Sequence, residues 1–163
     1  MVNLQPGKSV FVPAHGLGTV KGFKTISSKD SQVSFIEIEI QESKTKVMYP
    51  VGSDAYNRLR EPIDSNLAIK VLKSLQTETS AIKASSERWF KQHKKHLEIL
   101  NSGNAEQIAE LVVFLKNERK VRTLSLTETK VLDNAFKMVE MEICHVLGMD
   151  ALTFESEEVK LSA

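Results

Sequence analysis

The spacing of the apolar residues changes once along this chain, near residue 64, and that change limits what the chain can fold into. Before it, the period is two. Val33-Ser34-Phe35-Ile36-Glu37-Ile38-Glu39-Ile40 alternates among residues that favour strands. Lys8-Ser9-Val10-Phe11-Val12 alternates up to Pro13, and Gly16-Leu17-Gly18-Thr19-Val20 resumes after a turn. Lys44-Thr45-Lys46-Val47-Met48-Tyr49 follows across Gln41-Glu42-Ser43, a short hairpin loop. Short strands with turns between them predict a small, strongly bent sheet or barrel. Gly16, Gly18 and Gly22 suit its sharp bends. Glu37 and Glu39 alternate on one face of their strand, which the pattern marks as its solvated side.

From Asp64 onward the period is helical. Leu67, Val71, Leu72 and Leu75 form a short apolar stripe, interrupted by Thr77-Glu78-Thr79-Ser80. Phe90, His93, Leu97 and Leu100 share the next face, and Gly103 can stop that helix. Asn104 to Gln107 and Ser125 to Glu128 have capping-box spacing. Ile108, Leu111, Val112 and Leu115 make a third stripe. A fourth runs through Leu132, Ala135, Phe136, Val139, Ile143 and Leu147 and closes at Gly148. Residues 150–160 have the pattern of a last, weaker helix. Stripes of this kind must cover one another, so a compact helical bundle is expected. The expected class is α+β: a small bent sheet or barrel over residues 1–63, then a helical bundle over residues 64–163.

Trp89, the single tryptophan, lies in the most basic stretch of the chain. Lys83, Arg88, Lys91, Lys94 and Lys95 stand there against Glu87, although the chain as a whole carries a formal net charge of only +1. A local basic surface attracts polyanions, above all nucleic acid. On a helical wheel at about 100° per residue, Trp89 borders the apolar face, towards Gln92, with Arg88 and Lys95 beyond. A flat ring in that position can wedge against a base step. The competing reading puts it in the core, where tryptophans are mostly found.

Enzyme chemistry finds little support. Gly7-Lys8-Ser9 resembles the end of a phosphate-binding loop, but Val2 stands where the leading glycine is required, and a strand follows instead of a helix. His93 and His96 lie three apart without a further ligand on their face, which leaves zinc unsupported. Cys144-His145, on an apolar helix, reads as packing. No carboxylate pair, nucleophile elbow or dinucleotide loop appears. His15 sits in a turn between strands and reads as structural. With one cysteine no internal disulfide can form, which fits a reducing compartment. The first residues lack the pattern of a signal peptide, and no apolar run approaches membrane-spanning length. A cytoplasmic protein without cofactor, metal or membrane is expected.

Gly7 to Val20 resembles the opening of the CarD/CdnL family of bacterial RNA-polymerase-binding regulators. So do Lys46-Val47-Met48-Tyr49-Pro50-Val51 with Leu59-Arg60, Arg88-Trp89-Phe90-Lys91, residues 97–103, Ala109-Glu110-Leu111-Val112, and residues 124–143. The similarity runs from about Gly7 to Gly148. It implies a Tudor-like domain over residues 1–63 that docks on the polymerase β subunit by a sheet edge. Lys44, Lys46, Met48, Tyr49 and Pro50 would form that edge. It implies that residues 64–163 contact promoter DNA, with Trp89 in the minor groove at the upstream edge of the melted bubble. Arg88, Lys91, Lys94 and Lys95 would flank it. The protein would stabilise the open complex, and would be a monomer when not bound to polymerase. Three positions depart from the family: Met48 replaces an arginine on the docking strand, and Lys91 and Gln92 replace two consecutive arginines after the tryptophan, Lys91 keeping the charge but losing a bidentate donor and Gln92 losing the charge. The competing function is a protein–protein adaptor that does not bind DNA, with Trp89 in the helical core.

Overall fold

In the computed structural model the described residues are 2, 4–76 and 89–150, with the backbone alone for residues 89–92. The chain divides into two compact units, Met1–Pro62 and Ile63–Ala163.

The first unit contains β1 (Ser9–Val12), β2 (Gly16–Ser27), β3 (Gln32–Ile40), β4 (Lys46–Pro50) and the one-turn helix α1 (Asp54–Asn57). The four strands form one antiparallel sheet in the order β1-β2-β3-β4, a curled half-barrel that does not close. Val10, Val12, Val20, Ile36, Ile38, Ile40 and Leu59 make its core, with Leu4, Val47, Tyr49 and Tyr56 packed on them. The sheet bends at a bulge on β2 between Val20 and Gly22, where the register to β3 shifts. Gly18 is required by close packing. A Cβ there would lie 2.6 Å from Cγ2 of Ile38 and 3.2 Å from the Glu39 carbonyl oxygen.

The period-two pattern finds the strands but misjudges one face. Glu37 was expected in solvent and is only 7% exposed. Lys24 from β2 and Lys46 from β4 close over its carboxylate from both sides. Strand β4 also starts later than expected. Lys44 belongs to the turn, at φ 57°, where its N–H donates to the Ile40 carbonyl at 2.9 Å.

The second unit contains α2 (Ser65–Gln76), α3 (Trp89–Ser102), α4 (Ala105–Val121) and α5 (Leu126–Leu147). The expected caps are in place. Asn104 accepts from the Gln107 N–H at 3.1 Å. Ser125 and Glu128 form a reciprocal capping box. Gly103 ends α3 at φ 69°, and Gly148 caps α5 at φ 67°. Asp64 accepts from the Leu67 N–H at 2.8 Å and starts α2. Glu142, buried on α5, accepts from the Ile63 N–H at 3.0 Å and fixes the chain's entry into this unit. Among the described residues no helix is long and apolar enough to cross a membrane.

Helix α3 packs on a different face from the one its apolar residues suggest. Leu97 is 41% exposed, whereas His96 is buried beside Leu100 and Gly103. His96 lies at a tilt to Phe114, with ring centroids 6.0 Å apart. Burial lowers its pKa; the Glu128 carboxylate opposes this, and the neighbouring His93 adds a smaller effect in the same direction as burial. A helix with few apolar side chains is turned by the neighbour it packs on, here α4 and α5.

The corner between α4 and α5 is tied by charge. Arg122 donates to Glu128 from Nη1 at 3.1 Å and from Nη2 at 2.7 Å. Its Nε donates to Glu118 at 2.8 Å. Glu128 also accepts from the Ser125 N–H at 2.8 Å. The Arg122 hydrogen bond, more than any other cause, holds the Glu128 carboxyl down at about 2. A carboxyl lowered in the folded state adds stability above its unfolded pKa and loses it as pH falls through the folded value. We therefore expect thermal stability to fall between about pH 4.5 and pH 2. Glu128→Gln should remove about 2 kcal/mol at neutral pH, discounted because Arg122 is partly exposed, and flatten this limb. Gly18→Ala should cost about 1–3 kcal/mol by forcing Ile38 aside, seen as a lower melting temperature.

Candidate functional site

The first candidate is the free edge of the sheet. Each residue of an antiparallel strand turns its N–H and C=O to one side only, and successive residues alternate. The Val51 N–H donates to the Ser34 carbonyl at 2.8 Å, and the Ile40 N–H to the Thr45 carbonyl at 2.8 Å. These two bonds fix the phase of the β3–β4 ladder. Ile36 with Tyr49 and Ile38 with Val47 are then the bonded pairs between them. Lys46, Met48 and Pro50 turn their main-chain groups the other way, to the open side of β4. Pro50 has no N–H, so the open edge offers the donors of Lys46 and Met48.

The opposite edge of the sheet is closed. On β1 the Phe11 N–H donates to the Arg60 carbonyl at 2.7 Å, and the Arg60 N–H returns a bond to Phe11 at 3.3 Å. The Arg60 guanidinium lies 4.0 Å above the centre of the Phe11 ring. On β4 the Pro50 carbonyl accepts from the Ser53 N–H at 3.1 Å, whereas among the described residues no main-chain bond covers the outward groups of Lys46 and Met48. In the sequence Arg60 stands out only within the Leu59-Arg60 motif, because nothing local reveals what lies beside it.

The expected edge residues separate by face. Val47 and Tyr49 point to the core, and burial pushes the Tyr49 phenol above its usual pKa. Tyr49 is thus half-buried, with its side chain against the core while its main chain runs in the edge strand. Lys44 lies in the turn. Lys46, Met48 and Pro50 remain together on the outer face, all exposed. There Glu37 is held by Lys24 and, at 3.4 Å, by Lys46. The hydrogen bond from Lys24 holds its carboxyl below the usual range, against the opposing effect of burial, and the charges of both lysines add to this. Alternation alone does not reveal the burial of Glu37, because its cover comes from two other strands.

The second candidate is the basic stretch at the start of α3. The helix begins at Trp89. Arg88 lies outside the described residues, as do the side chains of Trp89 and Lys91. Lys94 and Lys95 are exposed on α3. A further group of cations ends α4. Arg119 and Lys120 are exposed there, but Arg122 is held by Glu118 and Glu128. The Lys116 ammonium sits 4.7 Å above the Phe136 ring. Burial, with the charges of Arg119 and Lys120, lowers its pKa to about 8.

Among the described residues no group of three His, Cys, Asp or Glu side chains could hold a metal ion. Among the described residues the first unit offers a strand edge open at Lys46 and Met48, and the second a helix with exposed cations, features suited to binding a strand and a polyanion.

Comparison with known proteins agrees in extent with these two units. The family described as "CarD-like/TRCF RID domain" matches residues 4–61, and "CarD, C-terminal domain" matches residues 70–157. The chain is also similar to the "Putative transcription factor YdeB" of Bacillus subtilis (strain 168). The two are 23% identical over 145 residues, which cover 89% of this chain and 93% of that protein. With its two domain types matched in order, the chain belongs to the CarD/CdnL family of transcription regulators.

Proposed function

We propose that this protein docks on the β subunit of bacterial RNA polymerase through the open edge of β4, and that residues 64–163 contact promoter DNA at the upstream edge of the bubble. By holding that edge it stabilises the open complex. It acts in the cytoplasm as a monomer until it meets polymerase, and it catalyses no reaction. The observation that carries this reading is the asymmetry of the sheet. Arg60 covers the β1 edge, whereas among the described residues the outward main-chain groups of Lys46 and Met48 on β4 have no partner. Such a row is a template for a strand from another chain. The match of residues 4–61 supports polymerase as the owner of that strand.

For DNA, the support is the exposure of Lys94 and Lys95 and the charge of the sequence around them. Phosphate contacts of this kind give affinity without sequence preference. Trp89 supplies the ring that resists closure of the duplex. The competing adaptor reading, with Trp89 in the core, draws on one observation: His96, two helical turns further along α3, is buried.

Two experiments separate these readings. Met48→Pro removes a main-chain donor on the open side and leaves the bonds from β4 to β3 in place. It should weaken capture of the full chain by core polymerase at least about tenfold. Undiminished capture of a folded variant would remove β4 from the interface. Trp89→Ala should leave polymerase binding intact and shorten the open-complex lifetime several-fold, since stacking on a base contributes about 1–3 kcal/mol. A core tryptophan would instead cost about 3–5 kcal/mol of fold stability, with the lifetime unchanged after correction for the folded fraction.

A further inference from the structure

Beside the open edge, the outer face of the sheet is ordered by register. Thr19, Glu39 and Lys46 form one cross-strand row, Gly22, Glu37 and Met48 the next, and Lys24, Phe35 and Pro50 the third. The pair Ile26 and Val33 lies beyond, both exposed. The ion pairs on this face join its own residues. Lys21 pairs with Glu39 at 3.5 Å, and Lys24 and Lys46 share Glu37. Met48, 39% exposed, stands between these charges and the free edge.

An added antiparallel strand places one side chain directly opposite Met48, with Cβ atoms about 4.5–5.5 Å apart, and two more on the diagonals. A carboxylate in that place would need a cation. The one within reach on β4, Lys46, is already engaged by Glu37, which lies almost buried beneath it. A cation in that place would meet the net positive charge of the Lys24, Glu37 and Lys46 group. An apolar side chain loses nothing there, and the flexible thioether of methionine adapts to it.

We infer that the β4 edge selects a partner strand whose side chain facing Met48 is apolar, and that Glu37 keeps the neighbouring lysines out of the contact. This rests on the docking reading above and specifies the partner's chemistry. Contact energy then comes from main-chain bonds and apolar burial, which salt screens little.

The test uses the full-length protein and core RNA polymerase from the organism that encodes it. Dissociation constants are measured at about 50 and about 300 mM KCl, a range over which exposed charge pairs are progressively screened. We expect a change of less than about threefold for the unaltered protein. Met48→Leu should stay within about twofold, and Met48→Lys and Met48→Glu should each weaken binding about tenfold or more. Met48 is exposed, so circular dichroism should show all three variants folded. Tighter binding by either charged variant would identify a charged partner residue and overturn the inference, as would charged variants that bind like the unaltered protein. Met48→Pro separates the two levels. If it too binds normally, the docking reading fails; if it alone weakens binding, only the apolar contact fails.

Discussion

The ladder between β3 and β4 decides what this protein can offer a partner. Its phase assigns each residue of β4 two directions at once: where the side chain points and where the main chain points. Val47 and Tyr49 give side chains to the core and main-chain groups to β3. Lys46 and Met48 give side chains to the outer face and main-chain groups to the open edge. A slip of one residue would reverse every assignment, exposing Tyr49 and burying Lys46. The cost of that reversal comes from Ile36, Ile38 and Ile40, fully or almost fully buried, and from Gly18, which lets β2 approach Ile38. The orientation of the β4 edge is thus specified by the core behind it.

The helical unit handles charge in two ways. At the corner of α4 and α5, Arg122 is committed to two carboxylates and organises the chain reversal. On α3, Lys94 and Lys95 are exposed. Glu118 and Glu128 are what bind Arg122 to the corner. The Lys70–Glu106 pair, 2.6 Å apart between α2 and α4, is exposed and contributes little.

Much of this architecture can be read from the residues. The change of period separates sheet from bundle, and Gly103, Asn104, Ser125 and Gly148 mark helix ends because capping is local chemistry. The readings that failed concern tertiary neighbours. Alternation reports that Glu37 and Met48 have their own faces, but it cannot report that lysines from two other strands will roof Glu37. It cannot tell Tyr49 from Lys46 as an edge residue without the phase of the hairpin, and that phase depends on Lys44 adopting φ 57°, a conformation few side chains favour. A helical wheel centred on Leu97 fails for α3 because packing on α4 and α5 selects His96 instead. The basic residues of α3 are legible as a charge cluster because charge, unlike burial, is carried by the residue itself.

Hydrogen exchange at the individual amides of β4 tests this account most directly. In the free protein the N–H groups of Val47, Tyr49 and Val51 face β3 and should exchange slowly, while those of Lys46 and Met48 face the open edge and should exchange quickly. On addition of core RNA polymerase the Met48 amide should become protected, with the inward amides little changed. Protection that alternates in this way is the signature of strand addition. A Met48 amide that still exchanges freely in a saturated complex would contradict it.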